Sequence, residues 1–241
     1  MKNGLFRHFV YKNVYFIIEE NRMGKTVLFD LDGTLTDPGI GITNSVWAAL
    51  RYFNIEVKDR SELFRFIGPP LIDAFMEYYG FPEEQAREAI NPYREYFASK
   101  GIFENEVYPG IPELLEKLKK DGYVLAVATS KPEEFAKEIL VHFDLMRYFD
   151  YVCGAGMDET RTGKAEVITY ALETAGVTDK RQCIMIGDRK HDMEGAAKNG
   201  LRKIGVIYGY GSLRELMEAG ADGIAEDRES LYLKIREFLP L

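Results

Sequence analysis

Hydrophobic positions along the chain follow two rhythms. Val27-Leu28-Phe29 and the stretches 123–129, 151–155, 182–187 and 203–207 are short runs, apolar almost throughout. They alternate with amphipathic stretches near 112–120, 132–141, 164–175, 192–199, 212–219 and 228–238. Short runs that are apolar on both faces predict strands of a parallel sheet, because crossover helices cover such a sheet on both sides. Right-handed crossovers then give a doubly wound, Rossmann-like α/β core.

Between 38 and 104 the rhythm changes. Ile42, Val46, Ala49, Leu50 and Phe53 recur at helical spacing, and amphipathic stretches follow near 60–66, 71–79, 83–90 and 92–99. No strand is needed there. Pro38-Gly39 and Tyr108-Pro109-Gly110 bracket the segment as exit and return turns. The expected division is an α/β core of 23–37 and 105–241 with an inserted helical module of 38–104. Trp47, Phe75, Tyr78, Tyr79 and Phe81 within the insert read as core rather than interface. Residues 1–22 differ from the rest. Their two glutamates, Glu19 and Glu20, have purine-only codons just before Met23, as a ribosome-binding site read as protein would. The expectation is that Met23 is the native start and 1–22 is upstream sequence; the alternative is an added strand or helix docked on the body.

Composition narrows the function classes. A net charge of -8 disfavours non-specific binding to nucleic acid or anionic membrane, which needs excess Lys and Arg. No run reaches the roughly 20 apolar residues of a membrane span. Cys153 and Cys183 are the two cysteines and sit in apolar runs, so buried free thiols and a cytoplasmic location are expected. Oligomeric state is not legible.

Candidate chemistry gathers at strand ends. Val27-Leu28-Phe29 runs into Asp30-Leu31-Asp32-Gly33-Thr34. Residues i and i+2 of an extended chain project to one side, and Gly33 lets the backbone turn away. Two such carboxylates can hold a metal while one oxygen is left for chemistry. The second strand ends in Thr129-Ser130-Lys131, Lys164 opens the helix after the third, and Gly187-Asp188-Arg189-Lys190-His191-Asp192 ends the fourth. Singly, each has an ordinary explanation: a helix cap for Thr129-Ser130, a solvated helix residue for Lys164, turn and helix-start carboxylates for Asp188 and Asp192. Ligands of open parallel sheets bind at the carboxyl ends of strands, so four coincidences there point to a single site.

In these motifs the chain resembles the haloacid-dehalogenase-superfamily phosphatases that carry a helical cap after the first strand. Asp30-Leu31-Asp32-Gly33-Thr34-Leu35, Thr129, Lys164 and Gly187-Asp188-x-x-x-Asp192 match the family's four motifs in order, over residues 23–238. Phe66-Ile67-Gly68-Pro69-Pro70-Leu71, Thr160-Arg161-x-x-Lys164 and Gly187–Asp192 look closest to its phosphoglycolate phosphatase and 5′-nucleotidase-like group. The resemblance implies Mg²⁺-dependent hydrolysis of a small phosphate monoester. Asp30 would be the nucleophile, giving an aspartyl-phosphate. Asp32 would be the proton shuttle, and Thr129, Ser130 and Lys164 would contact the phosphoryl group. Asp30, the Asp32 carbonyl and Asp188 would be metal ligands, with Asp192 ligating or orienting metal-bound water. Arg65, before Phe66-Ile67-Gly68, becomes the candidate for the substrate's far end; as an arginine it cannot form the Schiff base of phosphonate-cleaving relatives. Hexose-phosphate mutases of the superfamily carry a His where this chain has Ile42, which disfavours that alternative. A non-catalytic ligand-binding relative would have lost a chemical residue, and none is lost.

Overall fold

A computed structural model describes residues 24–158 and 160–241; the expectation about 1–22 lies outside the described residues. Strand β1 (Thr26–Phe29) is buried along its whole length and lies at the centre of a sheet ordered β5-β4-β1-β6-β7-β8. Its neighbours are β4 (Val124–Pro132) and β6 (Cys183–Gly187). β5 (Tyr151–Ala155) lies outside β4, while β7 (Arg202–Val206) and β8 (Gly223–Ala225) extend the other flank. Every pairing in this sheet is parallel. The chain leaves β1 for one side and later returns to its other side, so the switch point of the sheet, where a crevice opens, lies beside β1.

Burial on both faces explains the apolar runs. Val27 and Phe29 join one core cluster and Leu28 the other, as the two-residue period of a strand requires. Helices α6 (Lys164–Thr174) and α7 (Lys190–Lys198) pack on the Leu28 side through Val167, Ile168, Ala171 and Ala196. Leu114, Leu115 and Leu118 of α4 (Ile111–Lys120), Ile139 of α5 (Glu133–His142) and Ile235 of α8 (Arg228–Phe238) pack on the other. Cys153 and Cys183 are buried free thiols, as expected. Among the described residues no helix is long and apolar enough to cross a membrane.

The segment between β1 and β4 is mainly helical: α1 (Gly39–Tyr52), a 3₁₀ turn (Arg60–Phe66), α2 (Leu71–Tyr79), α3 (Glu83–Ser99) and a 3₁₀ turn (Gly101–Phe103). Phe75 and Phe81 are buried; Trp47, Tyr78 and Tyr79 are half-buried against the same core cluster. The two stretches read as separate helices, 83–90 and 92–99, are one helix with Pro92 inside it. An interior proline costs a backbone hydrogen bond. The stripe Ala86, Ala89, Ile90, Tyr93 and Phe97 nevertheless runs unbroken past Pro92, and packing against α1 outweighs that cost.

Two short features escaped the pattern. β2 (Thr36–Asp37) and β3 (Glu106–Val107) pair antiparallel where the insert leaves and rejoins the core, and β8 adds an edge strand. Two or three residues are too few to show a period. Gly33 turns the chain between β1 and β2 at a φ of 83°, with its N–H donating to the Thr36 carbonyl at 2.8 Å. A Cβ there would collide with the Asp188 carboxylate. Gly33→Ala therefore combines left-handed strain with a clash, and a loss of more than about 1 kcal/mol is expected in urea unfolding. Unchanged stability would show that this turn can relax.

Candidate active site

The ends of β1, β4 and β5 line one cavity of about 460 Å³ between the sheet and the helical insert, and Asp188 and Asp192, after β6, lie beside Asp30. Asp30, Asp32, Thr129, Ser130, Lys131 and Lys164 line its floor. Asp30 follows β1 directly, and its main-chain N–H donates to the Ile186 carbonyl at 2.9 Å. Its Oδ1 accepts from the Leu31 N–H at 2.8 Å and pairs with Lys164 Nζ at 2.7 Å. Lys164 Nζ also reaches Asp192 Oδ1 at 2.8 Å and the Ala128 carbonyl at 3.2 Å. The lysine is thus a buried cation shared by two carboxylates, not a solvated helix residue. Burial opposes its charge, but Asp192 and Asp30 outweigh that and hold the ammonium above its ordinary range.

Asp192 stands at the third position of α7, where its Oδ2 accepts from the Arg189 N–H at 3.0 Å. One oxygen thus makes the contact of the ordinary capping explanation, and the other faces Lys164. Asp188 is fully buried; its Oδ2 accepts from the Tyr210 N–H at 2.7 Å. Burial, then Asp192 and Asp30, push its carboxyl well above the usual carboxylate range. Asp192 is pushed up too, by burial first, against the pull of Lys164.

Asp30, Asp188 and Asp192 each offer an oxygen, all within 4.8 Å of one another. Three buried carboxylates face one ammonium, which leaves excess negative charge in a low-dielectric site. An all-oxygen set of this kind suits a hard divalent cation. The side chain of Asp32 stands apart: its Oδ2 pairs with Lys131 Nζ at 3.0 Å, and its Oδ1 is buried without a hydrogen-bond partner. Burial raises its carboxyl above the usual range, Lys131 opposes this, and Asp30 adds to it. Thr129 Oγ1 accepts from the Lys131 N–H at 3.2 Å, within the irregular end of β4.

Arg65 is not brought to this cavity. It is exposed, with its guanidinium 4.5 Å from the Tyr78 ring centroid and 5.5 Å from that of Tyr79. In a 3₁₀ turn side chains repeat every three residues, so Leu63 and Phe66 face inward together and Arg65 does not. The insert instead presents Arg94 from α3, whose Nη1 donates to the Met157 carbonyl at 3.2 Å. The sequence reading also passed over the loop after β7. There the Tyr208 hydroxyl donates to the Thr34 carbonyl at 3.0 Å, and Gly209 and Gly211 lie so close to Gly33 and Asp188 that neither has room for a side chain. Its visible signal was Gly-Tyr-Gly just beyond a strand end.

A family profile described as "Haloacid dehalogenase-like hydrolase" matches residues 27–206, which include every acidic and basic residue of the cavity floor. The chain belongs to this family. A 5′-nucleotidase of Pseudomonas aeruginosa is 53% identical over 79% of this chain and 86% of its own. Tyrosine-protein kinase PtkA of Mycobacterium tuberculosis is 39% identical over 77% of this chain and 62% of its own. The crystal structure of a predicted phosphatase from Clostridium acetobutylicum superposes with a TM-score of 0.87 at 52% identity, covering 89% of this chain and 99% of that one. Phosphoglycolate phosphatases are among the more distant relatives. The chain is an enzyme of the family's phosphatase branch.

Proposed function

We propose that the protein is a Mg²⁺-dependent phosphatase of small phosphate monoesters that works through an aspartyl-phosphate on Asp30. The observation that carries this reading is the buried set of Asp30, Asp188 and Asp192 around Lys164, of which Asp30 and Lys164 line the cavity. Both contacts of the Asp30 carboxylate go to Oδ1, which leaves Oδ2 for in-line attack on phosphorus. Lys164 fixes the orientation of that carboxylate. Thr129, whose oxygen already accepts from Lys131, has its hydroxyl proton left for a phosphoryl oxygen, and Ser130 lies beside it. Asp32 gives a proton to the leaving oxygen through its unpartnered Oδ1, then takes one from the water that opens the acyl phosphate.

Asp30, Asp188 and Asp192 would hold Mg²⁺, with the Asp32 main-chain carbonyl as the further ligand implied by the family resemblance. When bound, the ion supplies positive charge that offsets repulsion between the carboxylates and a phosphate dianion. A cation that binds only the folded site stabilises it by mass action. At about a hundredfold over Kd this is about 2.7 kcal/mol, a rise in Tm of about 5–10 °C for a chain of this size. Asp188→Asn should abolish most of the Mg²⁺-induced shift in a thermal melt. A wild-type Tm unmoved by millimolar Mg²⁺ would remove the metal from the proposal.

The helical segment 38–104 would act as a cap over this site, residues 23–37 and 105–241 being the catalytic core. Phe66, Ile72, Met76, Ile90, Tyr93 and Phe97 give the upper cavity an apolar and aromatic wall. Phosphoglycolate would leave most of that wall uncovered, whereas a nucleoside 5′-monophosphate places a planar, largely apolar base against it. Nucleoside 5′-monophosphates are therefore the favoured class, in keeping with the 5′-nucleotidase relative. Ile42 lines the cavity where a mutase has its histidine, and it can neither give nor take a proton. A panel of phosphate monoesters tests the assignment. The expected order of kcat/KM is nucleoside 5′-monophosphates above sugar phosphates and phosphoglycolate; the reverse order would overturn the substrate class.

A further inference from the structure

Two buried lysines serve this site, and only Lys164 has a role so far. Lys131 is equally enclosed, with a side chain 5% exposed. Lysine is rarely buried to that degree without a partner. Its partners come from two different parts of the fold. From the sheet side, Asp32 Oδ2 lies 3.0 Å from Nζ. From the helical insert, the ring of Phe97 lies with its centroid 4.2 Å from Nζ, a cation–π contact. Phe97 in turn stacks on Tyr93 one turn earlier in α3, with centroids 5.8 Å apart and planes 8° from parallel. Asp32 therefore has one oxygen held and one free, and the group that holds it is clamped by the insert.

We infer that Lys131 is a positioning residue: it fixes Asp32 Oδ2 so that Oδ1 faces the leaving oxygen, and Phe97 ties that geometry to the helical insert. The inference rests on the proposed proton-shuttle role of Asp32. A carboxylate without Lys131 is free to rotate about its χ angles. Proton transfer needs the carboxyl within hydrogen-bond reach of the leaving oxygen, and a misplacement of about 1 Å costs up to about a hundredfold. Thr129 and Ser130 are the groups proposed to contact the phosphoryl group, whereas Lys131 Nζ is held by Asp32 and the Phe97 ring. The loss should consequently fall on kcat and leave KM nearly unchanged.

The test is the burst rate of phosphoenzyme formation, measured with p-nitrophenyl phosphate and with a simple alkyl phosphate, on Asp32→Asn, Lys131→Met, Phe97→Leu and the Asp32→Asn/Lys131→Met double variant. A good leaving group needs little acid help and a poor one needs much. Lys131→Met is expected to lose about tenfold to a hundredfold with the alkyl ester and only a few-fold with the aryl ester. The double variant should be no slower than Asp32→Asn alone. Phe97→Leu should show the same leaving-group bias at smaller size, and it decides the matter if Lys131→Met does not fold. Equal losses on both esters, a loss confined to KM, or losses that multiply in the double variant would overturn the positioning role. If Asp32→Asn itself shows no leaving-group bias, the shuttle assignment is what has failed, and the inference falls with it.

Discussion

Asp30→Asn is expected to lose at least about 10³-fold in turnover while the fold persists. An amide oxygen is too weak a nucleophile for phosphorus, so the first covalent step is lost rather than slowed. The replacement is otherwise conservative. Its oxygen still accepts from the Leu31 N–H, and it still sits between β1 and Lys164. Removing one of three clustered carboxylates also relieves repulsion on Asp188 and Asp192, so Tm should hold or rise without metal. Steady-state kinetics and a thermal melt on the same preparation separate the two effects. Turnover within tenfold of wild type would sink Asp30 as nucleophile.

Lys164→Met should be the most damaging single change to stability. Lys164 and the Asp30 and Asp192 side chains it pairs with are each at most 4% exposed, and no solvent screens the charges left behind. Removing one partner of a buried ion pair typically costs about 3–5 kcal/mol. Here the cation serves two carboxylates beside a third, which places the expected loss in the upper part of that range. The sign can be checked by linkage: a divalent cation would supply the missing charge, so Mg²⁺ should recover stability in the variant by more than in wild type. Urea unfolding with and without Mg²⁺ reads both. A loss below about 1 kcal/mol would mean that the carboxylates take up protons at little cost and that Lys164 is not what holds the site together.

The sheet was legible because its strands are buried on both faces. β1, β4, β5, β6 and β7 appear as continuous apolar runs, whereas β8 and the β2–β3 ribbon have three and two residues and leave no trace. Asp30, Asp32, Thr129, Lys164, Asp188 and Asp192 stood out as candidates for a related reason: each lies in the last residues of a strand or between that end and the first turn of the next helix, and parallel strands bring those stretches together. Arg65 was not, because its direction depends on which face of a 3₁₀ turn docks inward. Arg94, Phe97 and Tyr93 were missed for the same kind of reason. They meet the core through the way α3 lies against the ends of β4 and β5, Phe97 at Lys131 and Arg94 at Met157, a long-range geometry that helical periodicity does not contain. Pro92 shows the converse: a local breaker signal overruled by a continuous buried stripe. Lys131 stood in plain view after Thr129-Ser130, but nothing in the sequence pairs it with Asp32.

The central claim is that Asp30 carries the phosphoryl group. Rapid acid quench with a ³²P-labelled monoester, followed by peptide mapping, measures this directly. The expected result is label on the peptide containing Asp30, formed before and released with inorganic phosphate, and absent from Asp30→Asn. Phosphate released in a burst with no protein-bound label, or label on Asp32 or any other residue, would contradict it.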